Sequence, residues 1–108
     1  MKKIIWVLVN CNTITEAQKI GNTILKKRLI SCFDILPRHS ASFFWPPKTG
    51  RIASSKGATL ALETFKDKYY AVAQSVASIH GDKLPFVGFI EIHGTSGGYQ
   101  NWMRGELR

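Results

Sequence analysis

The chain has 108 residues, which suits one compact domain and is short for two. Hydrophobic residues make up 44% of the sequence and charged residues 20%, a composition that permits a packed core and excludes a disordered chain. The formal net charge of +8 favours weak attraction to anionic partners without defining one.

Cysteine content and hydropathy predict the cellular compartment of the protein. Cys11 and Cys32 are too few for a disulfide framework, and they suggest a reducing environment. The apolar opening is short, lacks a small-residue cleavage site and runs directly into a turn and helix pattern, so we interpret it as a strand. No later stretch is long enough to cross a bilayer. The sequence therefore predicts a cytoplasmic protein without a membrane span.

The first two predicted elements are a central strand and an amphipathic helix. The segment KIIWVLV, residues 3 to 9, is β-branched and apolar on both faces. The residues from Thr13 to Glu16 have the spacing of a capping box. Apolar residues then recur at helical spacing: Ala17, Ile20, Ile24, Leu25 and Leu29. Gly21 lies among them, where a missing side chain lets the helix approach a sheet closely.

A hairpin is predicted next. Residues 31 to 45 look extended, and Pro37 indicates an edge strand or a bulge because it cannot donate to a regular central ladder. PPKTG, residues 46 to 50, is typical of a turn. ATLALETF, residues 58 to 65, alternates as a strand, so the two extended segments form the hairpin.

The last third predicts a second helix, a fourth strand and a short closing helix. Asp67 is placed to cap the second helix and Gly81 to end it in a left-handed conformation. The fourth strand is predicted over residues 85 to 92 and the closing helix over residues 99 to 107. The order β-α-β-β-α-β predicts a single α+β domain, residues 1 to 108, of ferredoxin-like topology. Both main helices then share one sheet face and leave the other uncovered.

Proteins of this topology perform several functions that require residue patterns which the sequence lacks. An RNA-recognition domain places stacking aromatic residues on its third strand, where this chain has Ala58, Leu60 and Leu62. We therefore expect no specific nucleic-acid partner. A soft-metal chaperone pairs two thiols after the first strand, where Cys11 stands alone. The sequence contains no Walker, CxxC or HExxH motif, and no enzyme activity is predicted.

The segment LISCFDILPRHSASFFW and the later GGYQNW together resemble the CutA divalent-cation-tolerance family. The order and spacing of the matching positions carry the resemblance from end to end: Cys32, Pro37, Ser42, Trp45, Thr64, His80, Pro85, Tyr99 and Trp102. Several features depart from the family pattern, among them a longer hairpin turn at PPKTG. Glu63 replaces a lysine, His80-Gly81-Asp82 replaces His-Pro-Tyr, and the third strand lacks the usual carboxylates before Glu63.

The resemblance implies a homotrimer that binds divalent metal ions, copper above all, in cation tolerance. No cofactor is required, and Cu(II) or another divalent cation is expected to bind weakly because the third-strand carboxylates are missing. Two alternatives stay open. One is a PII-like trimeric regulator that binds an anionic nucleotide or small molecule at subunit clefts, and the other is an interaction trimer with no ligand.

Eight residues receive predicted roles. His80 is the leading metal ligand, although it also suits a helix C-terminus. Cys11, expected in an accessible polar loop, and Asp82 complete the predicted metal site. The remaining roles are structural: Cys32 and Pro37 are assigned to the core, and Trp45, Tyr99 and Trp102 to a subunit interface or pocket.

Overall fold

The computed structural model describes residues 2–108 as one antiparallel sheet flanked by helices. The elements in chain order are β1 (Ile4–Cys11), α1 (Ile14–Lys26), β2 (Cys32–Phe44), β3 (Ile52–Phe65), a 3-10 helix (Lys66–Lys68), α2 (Tyr69–Ile79), β4 (Val87–Ile92) and α3 (Gly97–Glu106). The strand order is β2-β3-β1-β4, and every pairing is antiparallel. The predicted ferredoxin-like α+β class is confirmed.

The main core lies between the sheet and helices α1 and α2. Alternate residues of β1 (Ile5, Val7 and Val9) face this core and are fully buried. The helices contribute Ala17, Ile20, Ile24, Val72 and Val76, all of them buried as well. The predicted approach at Gly21 is confirmed, because a Cβ there would lie 2.6 Å from the ring of Phe33 on β2.

Helix α1 begins at its predicted cap. The Thr13 hydroxyl accepts a hydrogen bond from the Glu16 backbone N–H at 2.9 Å. The Glu16 carboxylate, however, accepts from the Asn12 N–H at 2.9 Å, one residue before the position that a capping box predicts. Glu16 therefore ties the start of α1 to the chain that leaves β1.

The hairpin of β2 and β3 is longer than predicted. Strand β3 begins at Ile52 rather than at residue 58, and both strands run beyond the core into a turn at residues 45 to 51. Pro37 lies on β2, which is an edge strand, and the pairing register shifts between Arg38 and Ala41. The prediction of an edge or bulge is confirmed, but Pro37 is exposed and its assignment to the core is wrong.

Two predicted helix signals in the second half are also wrong. Asp67 does not cap α2: the N-cap is Lys68, without a side-chain hydrogen bond, and Asp67 pairs with Lys2 at 3.2 Å. Gly81 does not supply a left-handed stop: α2 ends at Ile79, its C-cap residue His80 is extended, and Gly81 does not have a positive φ. The anchored ring of His80, described below, fixes the direction of the chain there.

The second face of the sheet is covered at one end only. Helix α3 packs there through Met103, which is buried with Ile4 and Phe65. The remainder of this face, here called the open face, includes Trp6, Leu36 and Ile90, which the strand register places on the same side. Leu36 and Ile90 are 50% and 48% exposed. The predicted uncovered face therefore persists beyond α3.

The helices of residues 2–108 are all too short or too polar to span a membrane.

Candidate functional site

A cluster of three potential metal donors lies where β1 ends. Cys11 is the last residue of β1, Glu16 lies in the first turn of α1, and His80 follows the last residue of α2. The thiol sulfur, one carboxylate oxygen and one imidazole nitrogen lie within 4.8 Å of one another. The fold therefore brings together residues that are up to 69 positions apart in the sequence.

The imidazole of His80 uses both of its ring nitrogens within the protein. Nε2 lies 2.7 Å from the carbonyl oxygen of Asn10, and Nδ1 accepts a hydrogen bond from the Asp82 N–H at 3.0 Å. A carbonyl oxygen only accepts and a backbone N–H only donates, so these partners select the neutral tautomer that carries its proton on Nε2. A metal ion at either nitrogen must displace one of these hydrogen bonds.

Glu16 is the third member of the cluster, and each of its carboxylate oxygens accepts a backbone hydrogen bond. Its Oε1 accepts from Asn12 N–H, and its Oε2 accepts from Gly81 N–H at 3.0 Å. Oε1 also lies 3.7 Å from His80 Nε2. The carboxylate thus joins the end of β1 to the turn after α2.

Cys11 is a buried thiol. It is 1% exposed, so the expectation of an accessible cysteine in a polar loop is wrong: β1 extends to this residue and turns its side chain into the core. Burial, followed by the charge of Glu16, raises the pKa of Cys11 from 9.0 to about 11. The thiol is therefore protonated near neutral pH, and metal binding through sulfur must release a proton.

The raised pKa of Cys11 predicts a loss of stability in alkali. The folded state retains the thiol proton up to about pH 11, whereas the unfolded state releases it near pH 9.0, so this contribution is present below pH 9 and disappears as the pH rises through 11. The expected loss is about 2 kcal/mol. Urea unfolding between pH 8 and 11 measures it, and Cys11→Ala should show a shallower decline than the parent. Parallel curves for the two proteins would contradict the assignment.

Asp82, the third predicted ligand, lies beside the cluster. Its carboxylate oxygen Oδ1 accepts from the Asn12 side-chain amide at 3.0 Å, and its backbone N–H holds His80. The carboxylate of the three-donor cluster comes from Glu16 instead. The sequence pattern predicts only a capping role for Glu16. Its position in the first turn of the helix that follows β1 is the signal that could have placed it here.

A second polar cluster surrounds Glu63 on the open face. Its carboxylate accepts hydrogen bonds from Trp6 Nε1 at 3.3 Å, Ser31 Oγ at 2.9 Å and Cys32 Sγ at 3.5 Å, and also from the hydroxyl of Tyr99. The hydrogen bond to Glu63 raises the pKa of Tyr99 far above its ordinary value. Glu63 is therefore an acceptor that gathers four donors.

Cys32 belongs to this second cluster. It is half-buried, and partial burial followed by the charge of Glu63 raises the pKa of its thiol to about 11. Its sulfur contacts the Glu63 carboxylate, and its role as a core residue stays a prediction.

The three aromatic residues assigned to an interface or pocket occupy two places. Trp45 lies in the turn of the hairpin and is 58% exposed. Tyr99 and Trp102 lie together on α3, with ring centroids 5.3 Å apart, and Trp102 also lines a cavity beside Ser31 and Arg28. Exposed aromatic rings of this kind are suited to contact with a second chain, which stays a prediction.

Comparisons with known proteins identify the family. The sheet order and the helices on one face define a ferredoxin-like α+β protein. The family model of the CutA1 divalent ion tolerance protein matches residues 5–106, so the chain belongs to that family.

Individual relatives agree with this assignment. The chain is 29% identical over 97 residues to a protein CutA homolog of Danio rerio, covering 90% of this chain and 63% of the relative. It therefore spans less than two thirds of that relative's length. It is 27% identical over 93 residues to the divalent-cation tolerance protein CutA of Pyrococcus horikoshii, covering 86% and 87% of the two chains.

Solved structures show the same fold. CutA1 from Oryza sativa superposes with a TM-score of 0.91 at 20% identity, covering 99% of this chain and 95% of the other. CutA from Synechococcus elongatus gives a TM-score of 0.90 at 23% identity, covering 100% and 93%.

Proposed function

We propose that this protein is a non-enzymatic homotrimer that binds divalent cations, Cu(II) in particular, and takes part in tolerance to them. The observation that carries the proposal is the convergence of Cys11, Glu16 and His80 within 4.8 Å in a chain of the CutA1 divalent ion tolerance family. Imidazole and carboxylate are ligands that Cu(II) accepts, while a thiolate favours softer ions such as Cu(I) or zinc. The donor types therefore fit a divalent cation.

The same contacts make the proposed binding weak. Each donor has a competing state within the protein, because His80 and Glu16 are hydrogen-bonded and Cys11 keeps its proton. A cation must displace these partners and release a proton before it is held. Such a site responds to high cation concentration rather than retaining an ion permanently, which suits a role in tolerance.

Catalysis has little support in this chemistry. Both thiols have pKa values raised to about 11, which keeps them protonated and poorly nucleophilic at neutral pH. His80 has no ring nitrogen available as a general base while Asn10 and Asp82 hold it. A non-enzymatic role is therefore the proposal. Two free cysteines also support the proposal of a cytoplasmic location.

Copper titration tests the metal proposal. We expect weak Cu(II) binding that falls by at least about tenfold in His80→Ala, because the imidazole is the strongest neutral donor of the cluster. Isothermal titration calorimetry measures the change, with Zn(II) as a second ion that thiols do not reduce. Cys32→Ala should lower stability and leave the affinity unchanged.

His93→Ala is the matched control for surface imidazole, because that side chain is 81% exposed. If His93→Ala loses copper and His80→Ala retains it, the ion binds at the surface and the proposed site is wrong. Loss of copper in Cys32→Ala alone would reverse the assignment of core and ligand.

The proposed trimer has a physical basis in the open face and in the long hairpin. Leu36 and Ile90 present apolar surface on one side of the sheet, and association with other copies removes that surface from water. The apolar hairpin residues Phe44, Trp45 and Ile52 are exposed as well and can contact neighbouring copies.

A further inference from the structure

A cavity of about 350 Å³ lies next to the three-donor cluster, between the end of β1, the β2–β3 hairpin and the turn before β4. Its volume falls within the range of pockets that hold small molecules. The residues that give it chemical character are Asn12, Arg38, Phe43, Asp82, Leu84 and Phe86. Polar and apolar side chains thus share one concave surface.

Arg38 supplies a positive charge that the protein does not neutralise. Its Nη1 donates to the Ala58 carbonyl oxygen at 2.9 Å and to the side-chain amide oxygen of Asn10 at 3.5 Å, and its Nη2 donates to the Cys11 carbonyl oxygen at 3.4 Å. Its Nε is buried and has no acceptor among residues 2–108, and no carboxylate of that range lies within 4.0 Å of the guanidinium. A half-buried guanidinium held by carbonyl groups alone favours an anionic partner.

Asp82 supplies a negative charge in the same cavity. Asn12 orients its carboxylate through the 3.0 Å hydrogen bond to Oδ1, and the contact of its N–H with His80 fixes the backbone. Within residues 2–108, no lysine, arginine or histidine forms an ion pair with this carboxylate. Asp82 and Arg38 therefore line one cavity with opposite charges, and they do not pair with each other.

Apolar side chains form part of the cavity lining. Phe43, Leu84 and Phe86 line the cavity, and all three side chains are exposed. Exposed apolar side chains that line a pocket with charged groups are typical of a ligand site, since burying them against a ligand removes their surface from water.

We propose that this cavity binds a zwitterionic small molecule of the α-amino acid class with an apolar side chain. The ligand's carboxylate pairs with Arg38, its ammonium group pairs with Asp82, and its side chain packs against Phe43 and Phe86. A simple anion satisfies Arg38 and meets repulsion from Asp82, whereas a zwitterion satisfies both. The proposal uses residues outside the Cys11–Glu16–His80 cluster and does not depend on metal binding.

The test titrates the full-length protein with L-phenylalanine and with three relatives of it, using ligand-observed NMR and calorimetry. The relatives are N-acetyl-L-phenylalanine, which lacks the ammonium group, L-phenylalaninamide, which lacks the carboxylate, and glycine, which lacks the side chain. We expect saturable binding of L-phenylalanine and affinities at least about tenfold lower for each relative, the effect of losing one charge-assisted contact or the apolar contact. Equal binding of L-phenylalanine and its N-acetyl form, or no binding of L-phenylalanine at millimolar concentration, overturns the proposal.

Substitutions of Arg38 and Asp82 test whether these residues make the proposed contacts with the ligand. Arg38→Gln and Asp82→Asn should each weaken L-phenylalanine at least about tenfold. Asp82→Asn should by contrast strengthen the binding of N-acetyl-L-phenylalanine, because it removes the charge that repels this anion. Arg51→Gln and Asp34→Asn are matched controls at exposed positions outside the cavity lining, and they should bind as the parent does. Arg38 also donates hydrogen bonds to β1 and β3, so its loss can affect the fold as well as the ligand. Arg38→Lys retains the positive charge, and it should bind L-phenylalanine more tightly than Arg38→Gln does. Unchanged affinity in Arg38→Gln or Asp82→Asn overturns the assignment.

Discussion

Replacing Gly57 with alanine is expected to destabilise the fold by about 3 kcal/mol, as the combined effect of backbone strain and overpacking. Gly57 has φ of +156°, a conformation that residues with a side chain rarely adopt. A Cβ at this position would lie 2.4 Å from the Cys11 carbonyl oxygen and 2.6 Å from Arg38 Nη2. The carbonyl oxygen belongs to β1, which cannot move aside without breaking its pairing with β3.

Urea unfolding of Gly57→Ala against the parent measures this effect. Gly50→Ala is the matched control: Gly50 also has a positive φ, of +73°, but no atom lies within 4 Å of a Cβ built there. The control should therefore cost about 1 kcal/mol, from strain alone. If the two variants lose the same stability, contact between the strands does not explain the glycine at position 57.

The double substitution Leu36→Asp and Ile90→Asp is expected to convert the proposed trimer into monomers. Both side chains lie on the open face and are about half exposed, so placing carboxylates there should leave the single chain folded. In an assembly through this face, by contrast, the new charges are buried without partners, which costs several kcal/mol at each contact. Asp34 already lies on this side of β2, and it adds like-charge repulsion.

Light scattering at micromolar concentration measures the outcome. The parent should have three times the 12.1 kDa mass of the chain, and the double variant should have the mass of one chain. Tyr70→Asp is the control, because Tyr70 is 85% exposed on α2, on the helical side of the sheet. A monomeric parent contradicts the proposed assembly, and a trimeric double variant shows that the interface lies elsewhere.

The parts of the fold that the sequence predicted well are those where burial imposes a local period. β1 and α1 face one core, so their apolar spacing and the glycine at position 21 could be interpreted directly. The first part of β3 could not be predicted in this way. Residues 52 to 57 belong to the hairpin beyond the helices, and without a buried face the strand carries no alternating pattern.

Only some residues of the candidate site could be predicted from the sequence. His80 and Cys11 were expected near each other, and the structure places them in one cluster. The hydrogen bonds that occupy His80 come from Asn10, seventy residues earlier, and from the backbone of Asp82. No local sequence pattern encodes such a contact. For the same reason the sequence predicts that Gly81 ends α2, whereas in the structure the helix stops before His80, whose ring is held by hydrogen bonds.

Pro37 has a consequence for how the chain behaves at high concentration. β2 is a thirteen-residue edge strand, and an edge of that length can template the growth of fibrils by adding strands from other molecules. Pro37 removes one backbone donor from the middle of it, and the register shift between Arg38 and Ala41 interrupts regular pairing just beyond. The edge is thus divided into short stretches, which permits limited contact between copies and opposes unlimited polymerisation.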